Sequence, residues 1–316
     1  MKTFVREFLS NANFQQAWLQ VKKNKGCAGS DGETIARFKQ NLESNLSDLR
    51  NTIALGNYQP APYQQILIPK DKGKWRELKV PSVKDRIVQQ ALLNVLSPII
   101  EPTFLACSFA YRPNISYIQA VEKIADWRDL GYQWVLDADI KQYFDEIDRD
   151  RLLRELRRYI VHPGILCLIK AWITNPVLTK NGLTTTTKGI PQGAVISPLL
   201  ANIYLDEFDR AFTDLDVRLV RYADDFLILA KSKNRIKQAY IEVSQLLEEI
   251  ALQLHPQKTR ITNFDRGFCF LGHGFIERGI IPIDKPKLKK KSKKKRATRK
   301  KNKQHLGISI GKVKAP

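Results

Sequence analysis

The sequence is short of the residues on which many enzymes build their chemistry. Four cysteines, Cys27, Cys107, Cys167 and Cys269, stand far apart, with no Cys-x-x-Cys pair among them. The four histidines, His162, His255, His273 and His305, are equally scattered. A zinc site or a disulfide framework is therefore not expected. The cysteines read as small, half-buried residues in a reducing cytoplasm. No Ser-His-Asp or Cys-His arrangement for nucleophilic catalysis stands out either. No apolar run approaches the roughly 20 residues needed to cross a bilayer. The first residues, Met-Lys-Thr-Phe-Val-Arg-Glu-Phe-Leu, interrupt their apolar side chains with charge and do not read as a secretion signal. There is no lipidation motif or basic amphipathic helix to hold a membrane. The expectation is a cytoplasmic protein with no membrane partner and no internal repeat.

Acidic residues are also scarce. Against 53 Lys and Arg there are 32 Asp and Glu, a net charge of +21. Such an excess calls for a polyanionic partner, and nucleic acid is the commonest. The charge is uneven. Thirteen Lys or Arg and no acid lie between Lys285 and Lys303, and Lys312 and Lys314 add two more. Without these fifteen, residues 1–284 keep six of the net charges. This divides the 316 residues into a folded body, 1–284, and a polybasic tail, 285–316, expected to be disordered when unbound.

With 43% hydrophobic residues the body can bury a sizeable core. Helical spacing of Val83, Ile87, Ala91, Leu92, Val95, Leu96 and Ile99 predicts a helix over 83–99. Ile236, Ala239, Val243, Leu246, Leu247, Ile250 and Leu254 predict another over 236–254. A third is expected from Ser197 to Phe212, with Pro198 in its first turn. Strands are expected at Trp134–Asp139, Val217–Arg221 and Phe226–Ala230, the last two joined as a hairpin through Tyr222-Ala223-Asp224-Asp225. Helices and strands mix without a regular βαβ repeat, which favours an α+β fold with a mostly antiparallel sheet.

The acidic residues that do occur carry the chemical signal. Asp224 and Asp225 are adjacent at a turn between apolar strands, where two like charges need a compensating cation. Asp137 and Asp139 share one face of an upstream strand. If that strand pairs beside the hairpin, Asp139 meets Asp224 and Asp225, and the oxygens suit magnesium. Two such ions, about 3.5–4 Å apart, are the usual apparatus for in-line attack on phosphate. An Asp-Asp pair in a turn is more often simply solvated, so the neighbouring residues decide.

Those neighbours resemble the reverse transcriptases, especially the group II intron type and the related enzymes that accompany CRISPR adaptation modules. Tyr222-Ala223-Asp224-Asp225 looks like their palm tetrapeptide. Asp139-Ile140-Lys-Gln-Tyr-Phe144-Asp145 is similar to their first catalytic motif. Gly189-Ile-Pro-Gln192-Gly193-Ala-Val-Ile-Ser197-Pro198-Leu resembles the segment that contacts template and incoming nucleotide. Leu254-His-Pro-Gln-Lys258-Thr resembles the motif with a lysine near the leaving group, and Phe270-Leu-Gly272-His-Gly274-Phe the hairpin that grips the primer end. Upstream, Ile68-Pro-Lys70-Asp-Lys-Gly73-Lys-Trp-Arg76-Glu-Leu resembles the fingers hairpin. Val80-Pro-Ser-Val-Lys-Asp85-Arg86-Ile-Val-Gln89-Gln90-Ala and Ser108-Phe-Ala-Tyr111-Arg112-Pro113 resemble further fingers segments. Gly26-Cys-Ala-Gly29-Ser-Asp31-Gly32 looks like the N-terminal loop. The likeness runs over about residues 18–276.

The resemblance implies a right-hand polymerase of fingers and palm, with the thumb short or absent before the basic tail. It implies RNA-directed DNA synthesis, with Asp139, Asp224 and Asp225 as catalytic residues. Two magnesium ions, with manganese as a substitute, would be held by Asp139, Ile140, Asp224 and Asp225. Lys70, Arg76, Ile140, Phe144, Gln192 and Lys258 would contact the nucleotide. Lys70 and Arg76 would clamp triphosphate oxygens, and Lys258 would protonate the leaving group. Phe144 would lie under the sugar, where a bulky ring leaves no room for a 2′-hydroxyl. The implied partners are an RNA template, a DNA or RNA primer and dNTPs, with CRISPR adaptation proteins or intron RNA according to setting. The alternative is a non-catalytic, RNA-binding, maturase-like or scaffold protein, which would not need the carboxylate trio or Phe144.

Overall fold

Helices come first in the chain because apolar residues recur there at helical spacing behind good caps. The computed structural model describes residues 2–69, 73 and 75–283. Helices α1 (Lys2–Phe8), α2 (Asn11–Lys23), α3 (Ile35–Gln40) and α4 (Leu42–Ala54) lead into a hairpin of β1 (Tyr63–Pro69) and β2 (Trp75–Val80). The Ser10 hydroxyl accepts from Asn13 N and starts α2, whose Phe14, Ala17, Trp18 and Val21 are buried. Helix α5 (Val83–Ile100) runs one residue past the expected end and is capped by Ser82, which accepts from Asp85 N. Its Val83, Ile87, Ala91, Leu92 and Leu96 are almost wholly buried. Each large aliphatic of that row stabilises the fold by about 1.5–3 kcal/mol. Asn13 ties the two helices, donating to the Ala91 carbonyl at 2.9 Å.

The remaining elements build the sheet that matters for function. Helix α6 (Tyr117–Asp129) precedes β3 (Trp134–Asp139), and α7 (Tyr143–Glu146), α8 (Arg149–Leu156) and α9 (Pro163–Thr174) follow. Short strands β4 (Val177–Thr179) and β5 (Gly182–Thr184) lengthen the first hairpin into the sheet β2-β1-β4-β5. Then come α10 (Ser197–Arg210), β6 (Arg218–Tyr222), β7 (Asp225–Ala230), α11 (Lys233–Glu249) and β8 (Arg260–Asn263). Strands β9 (Phe268–Phe270), β10 (His273–Ile276) and β11 (Gly279–Pro282) form a small antiparallel sheet. The central sheet has the order β6-β7-β3-β8, with every neighbouring pair antiparallel.

Its two faces have different covers, as the two-residue alternation of strands requires. Leu136, Ala138, Phe226, Ile228 and Ala230 belong to the main core on the side of α10 and α11. Phe208 of α10 meets Phe226 edge to face, ring centres 5.3 Å apart. Val135, Val220, Leu227 and Leu229 pack on the other side with Ala120, Val121 and Ile124 of α6 and with Phe268, Phe270 and Phe275. The α+β architecture with an antiparallel central sheet is as expected. Helix α11 stops five residues before the expected Leu254: Ala251 takes a positive φ of 57°, and Leu254 leaves the helix to bridge Ile140 of the sheet region. Cys27, Cys167 and Cys269 are exposed rather than half-buried, and Cys107 alone of the four is half-buried. Lys70 and the polybasic tail lie outside the described residues. Among the described residues no helix is long and apolar enough to cross a membrane.

Candidate active site

Strand register brings the acidic residues together. Asp139, at the end of β3, stands directly opposite Asp225, the first residue of β7. The hairpin is tighter than expected. Tyr222 pairs with Asp225, leaving Ala223 and Asp224 as a two-residue turn, with Ala223 at φ 62°. Asp137, Asp139 and Asp225 share the face of Val135 and Leu227, beyond the end of its apolar cover. The Ile140 N–H donates to the Asp224 carbonyl at 3.0 Å, which locks the turn against β3. Ile140 itself is buried, its side chain in the core, so only its carbonyl could reach an ion.

Two cations balance this acidic edge. Lys258 Nζ lies 2.6 Å from Asp139 Oδ2, and the Arg260 guanidinium holds Asp137 Oδ2 at 2.9 and 3.0 Å. Burial still dominates for the others. It raises the Asp224 carboxyl above its usual range, Asp139 raises it further, and Lys258 and Arg76 partly offset the effect. Asp225 is pushed up to about 7, by burial first and then by Asp137, Asp139 and Asp224. Carboxyl groups so crowded resist ionisation until a positive charge joins them. The donor set is all oxygen and suits a hard divalent ion. Among the described residues no three acidic, histidine or cysteine side chains already stand in metal-holding geometry. The Asp139 carboxylate meets Lys258 through Oδ2.

The other expected residues surround the carboxylates unequally. Phe144 is buried, 8% exposed, with its ring edge-on to Tyr143 at 5.5 Å. Its carbonyl accepts from Ile190 N at 2.7 Å. Gln192 is half-buried, and its carbonyl accepts from Lys79 N of β2 at 2.8 Å. Arg76 is exposed on β2, on the side from which its charge reaches Asp224. Lys258 is brought to Asp139.

A buried network beneath the turn escaped the sequence reading. Arg221 of β6 and Asp209 of α10 form an ion pair with both side chains wholly enclosed. The available signals were an arginine inside an apolar strand, and Asn202 and Asp209 two turns apart on a helix that buries Leu199, Leu200, Ile203 and Phe208. Tyr111 was noted only as part of a motif. It is half exposed, at φ 63°, and follows a segment that runs parallel to β6 with Ser108 bridged to Arg221. That register carries Tyr111 towards Asp224, and burial, with Asp224 and Tyr222, raises its phenol.

A right-hand palm with paired carboxylates at a hairpin defines a class of nucleotide polymerase, and comparison with known proteins gives the family. The model described as reverse transcriptase (RNA-dependent DNA polymerase) matches residues 68–275, about two thirds of the chain. The chain belongs to the reverse transcriptase family. It is similar to protein YkfC of Escherichia coli strain K12, at 31% identity over 79% of this chain and 76% of that one. It is also similar to the group II intron-encoded protein LtrA of Lactococcus lactis, at 30% identity over 75% of this chain but only 38% of LtrA. Among solved structures, apo telomerase from Candida tropicalis, truncated from its C-terminal domain, has a similar fold. The TM-score is 0.55 at 16% identity, over 73% of this chain and 58% of that one.

Proposed function

We propose that this chain extends a DNA or RNA primer with dNTPs along an RNA template, with Asp139, Asp224 and Asp225 holding two magnesium ions. The observation that carries this reading is the register of Asp139 against Asp225 beside the Asp224 turn, within a reverse transcriptase domain. The Asp139, Asp224 and Asp225 carboxylates and the Ile140 carbonyl are the atoms that would hold the ions; manganese suits the same oxygens. When bound, the ions supply charge for the attacking hydroxyl and for the leaving pyrophosphate.

The chain's own residues do the rest. Arg76, with Lys70 before it, binds triphosphate oxygens through charge-assisted hydrogen bonds. Lys258, beside Asp139, would supply a proton to the leaving group. Phe144 presents the edge of a fixed ring to the sugar, and the Gln192 loop, tied to β2, orients the nucleotide. The likeness to LtrA supports a group II intron-derived setting. Primer extension on an RNA template, first with dNTPs and then with NTPs, tests the reading. DNA synthesis that disappears in Asp139→Ala is the expected result. Binding of template without extension would favour a scaffold, and equal use of NTPs an RNA polymerase.

A further inference from the structure

Arg221 is among the largest wholly buried side chains of the protein, and its burial is costly unless every donor is used. It projects from β6 towards α10, on the opposite face of the sheet from Asp139 and Asp225. Nε donates to Asp209 Oδ1 at 2.6 Å, and Nη2 donates to Asp209 Oδ2 and, at 2.7 Å, to Ser108 Oγ. Nη1 donates to Asn202 Oδ1 at 3.2 Å and to the Ala223 carbonyl at 3.1 Å. Charge neutrality needs only Asp209. The contact with Ala223 is of another kind, because it fixes a main-chain carbonyl inside the carboxylate turn.

Ala223 needs such a hold. Its φ of 62° is a conformation that a Cβ disfavours. The peptide on the far side of Asp224 is held separately, by Ile140 N–H on the Asp224 carbonyl at 3.0 Å. Asp224 is thus pinned through both flanking peptide groups, from β3 on one side and from the buried guanidinium on the other. A planar fork can serve Asp209 and Ala223 together; a single ammonium cannot.

We propose that Arg221 is a positioning residue: by holding the Ala223 carbonyl it sets the direction in which Asp224 offers its carboxylate to the divalent ions. This rests on the polymerase reading above. Arg221→Lys keeps a cation beside Asp209 but gives up the turn. Ala223→Gly removes the need for a hold, since glycine takes positive φ freely. Should Arg221→Lys fail to fold, Arg221→Met with Asp209→Leu removes both buried charges together and takes its place.

The test measures single-nucleotide addition across a Mg²⁺ series, and Mn²⁺ affinity from the EPR signal of free Mn²⁺ in complexes with a dideoxy-terminated primer. Melting is followed alongside. The expected result for Arg221→Lys is a rate about tenfold lower and a several-fold higher Mg²⁺ requirement, with Mn²⁺ affinity falling in parallel. Adding Ala223→Gly should bring rate and affinity back to within about threefold of the parent, without restoring melting. Parental metal dependence in Arg221→Lys would overturn the proposal, as would a defect that glycine at 223 leaves untouched, because a plain core ion pair predicts both. A parent that binds Mn²⁺ yet adds no nucleotide would overturn the polymerase reading instead, and the Mn²⁺ affinities of the variants would still decide the role of Arg221.

Discussion

The Lys258 ammonium sits 2.6 Å from Asp139 Oδ2, joining the loop after α11 to the end of β3. On the proposed role, the same lysine would serve a carboxylate and a phosphate in turn. Its side chain is half exposed, so the pair adds no more than about 1 kcal/mol to stability. Lys258→Gln should melt like the parent. Nucleotide addition should slow by about 10²- to 10⁴-fold through loss of a general acid. The Mg²⁺ requirement should stay level or fall, because nothing then competes for Asp139. A raised Mg²⁺ requirement in single-turnover extension would contradict this account.

Asp139→Ala and Asp224→Ala should each abolish most DNA synthesis, by 10²-fold or more, while the fold is kept. Asp225→Ala should do the same if that carboxyl ligates an ion directly. A smaller loss would place it behind Asp139, its partner across the ladder. Extension assays with circular dichroism of the same preparations decide it.

Asp225 also links stability to pH. Its folded-state pKa, about 7, lies above the usual carboxylate value. The folded protein therefore holds this proton more tightly than the unfolded chain does. Its contribution is fully present below about pH 4 and is lost as pH rises to about 7. At about 1.4 kcal/mol per pKa unit it amounts to no more than about 4 kcal/mol. Metal-free Asp225→Asn should lose less stability than the parent between pH 5 and 8, and Mg²⁺ should stabilise the parent most above pH 7. Parallel melting profiles would refute the linkage.

Phe144→Ala should accept ribonucleotides far better than the parent. The ring is buried against Tyr143, so the same change costs about 3–5 kcal/mol of stability. Phe144→Val gives the milder comparison. The ratio of dNTP to NTP incorporation is the readout, and an unchanged ratio in both variants would make Phe144 a core residue only.

The thirteen basic residues between Lys285 and Lys303 predict a strong salt dependence. Each phosphate contact contributes about 0.7–0.9 to the slope of log affinity against log salt. Removing residues 285–316 should flatten that slope by several units and shorten products, with single-nucleotide addition spared. Equal slopes on an RNA–DNA duplex would show that these residues do not touch nucleic acid.

What could be read from sequence followed from local periodicity and local chemistry. The strand Trp134–Asp139 and the Asp224-Asp225 hairpin were legible because apolar alternation and a short acidic turn are both local signals. The meeting of Asp139 with Asp225 could be stated only as a condition, because it depends on a strand pairing across more than 80 positions. Arg221 with Asp209 stayed hidden for a related reason. A buried arginine in a strand looks like an exposed one until the helix that neutralises it is seen. The pairing of Lys258 with Asp139 was not legible, since it spans 119 positions.

The loop around Gln192 is stitched at both ends. Gly189 N donates to the Ile147 carbonyl and Ile190 N to that of Phe144, while Lys79 N of β2 donates to Gln192. A Cβ on Gly189 would come within 2.6 Å of the Asp145 carbonyl oxygen, so the stitch admits almost no slack. The base of the β1–β2 hairpin and the ring of Phe144 consequently share one rigid frame. On the roles proposed for Phe144 and the hairpin, sugar choice and grip on the triphosphate would be mechanically yoked. A change that loosens the frame, such as Gly189→Ala, should degrade accuracy and nucleotide affinity together, and selection acting on one would carry the other with it.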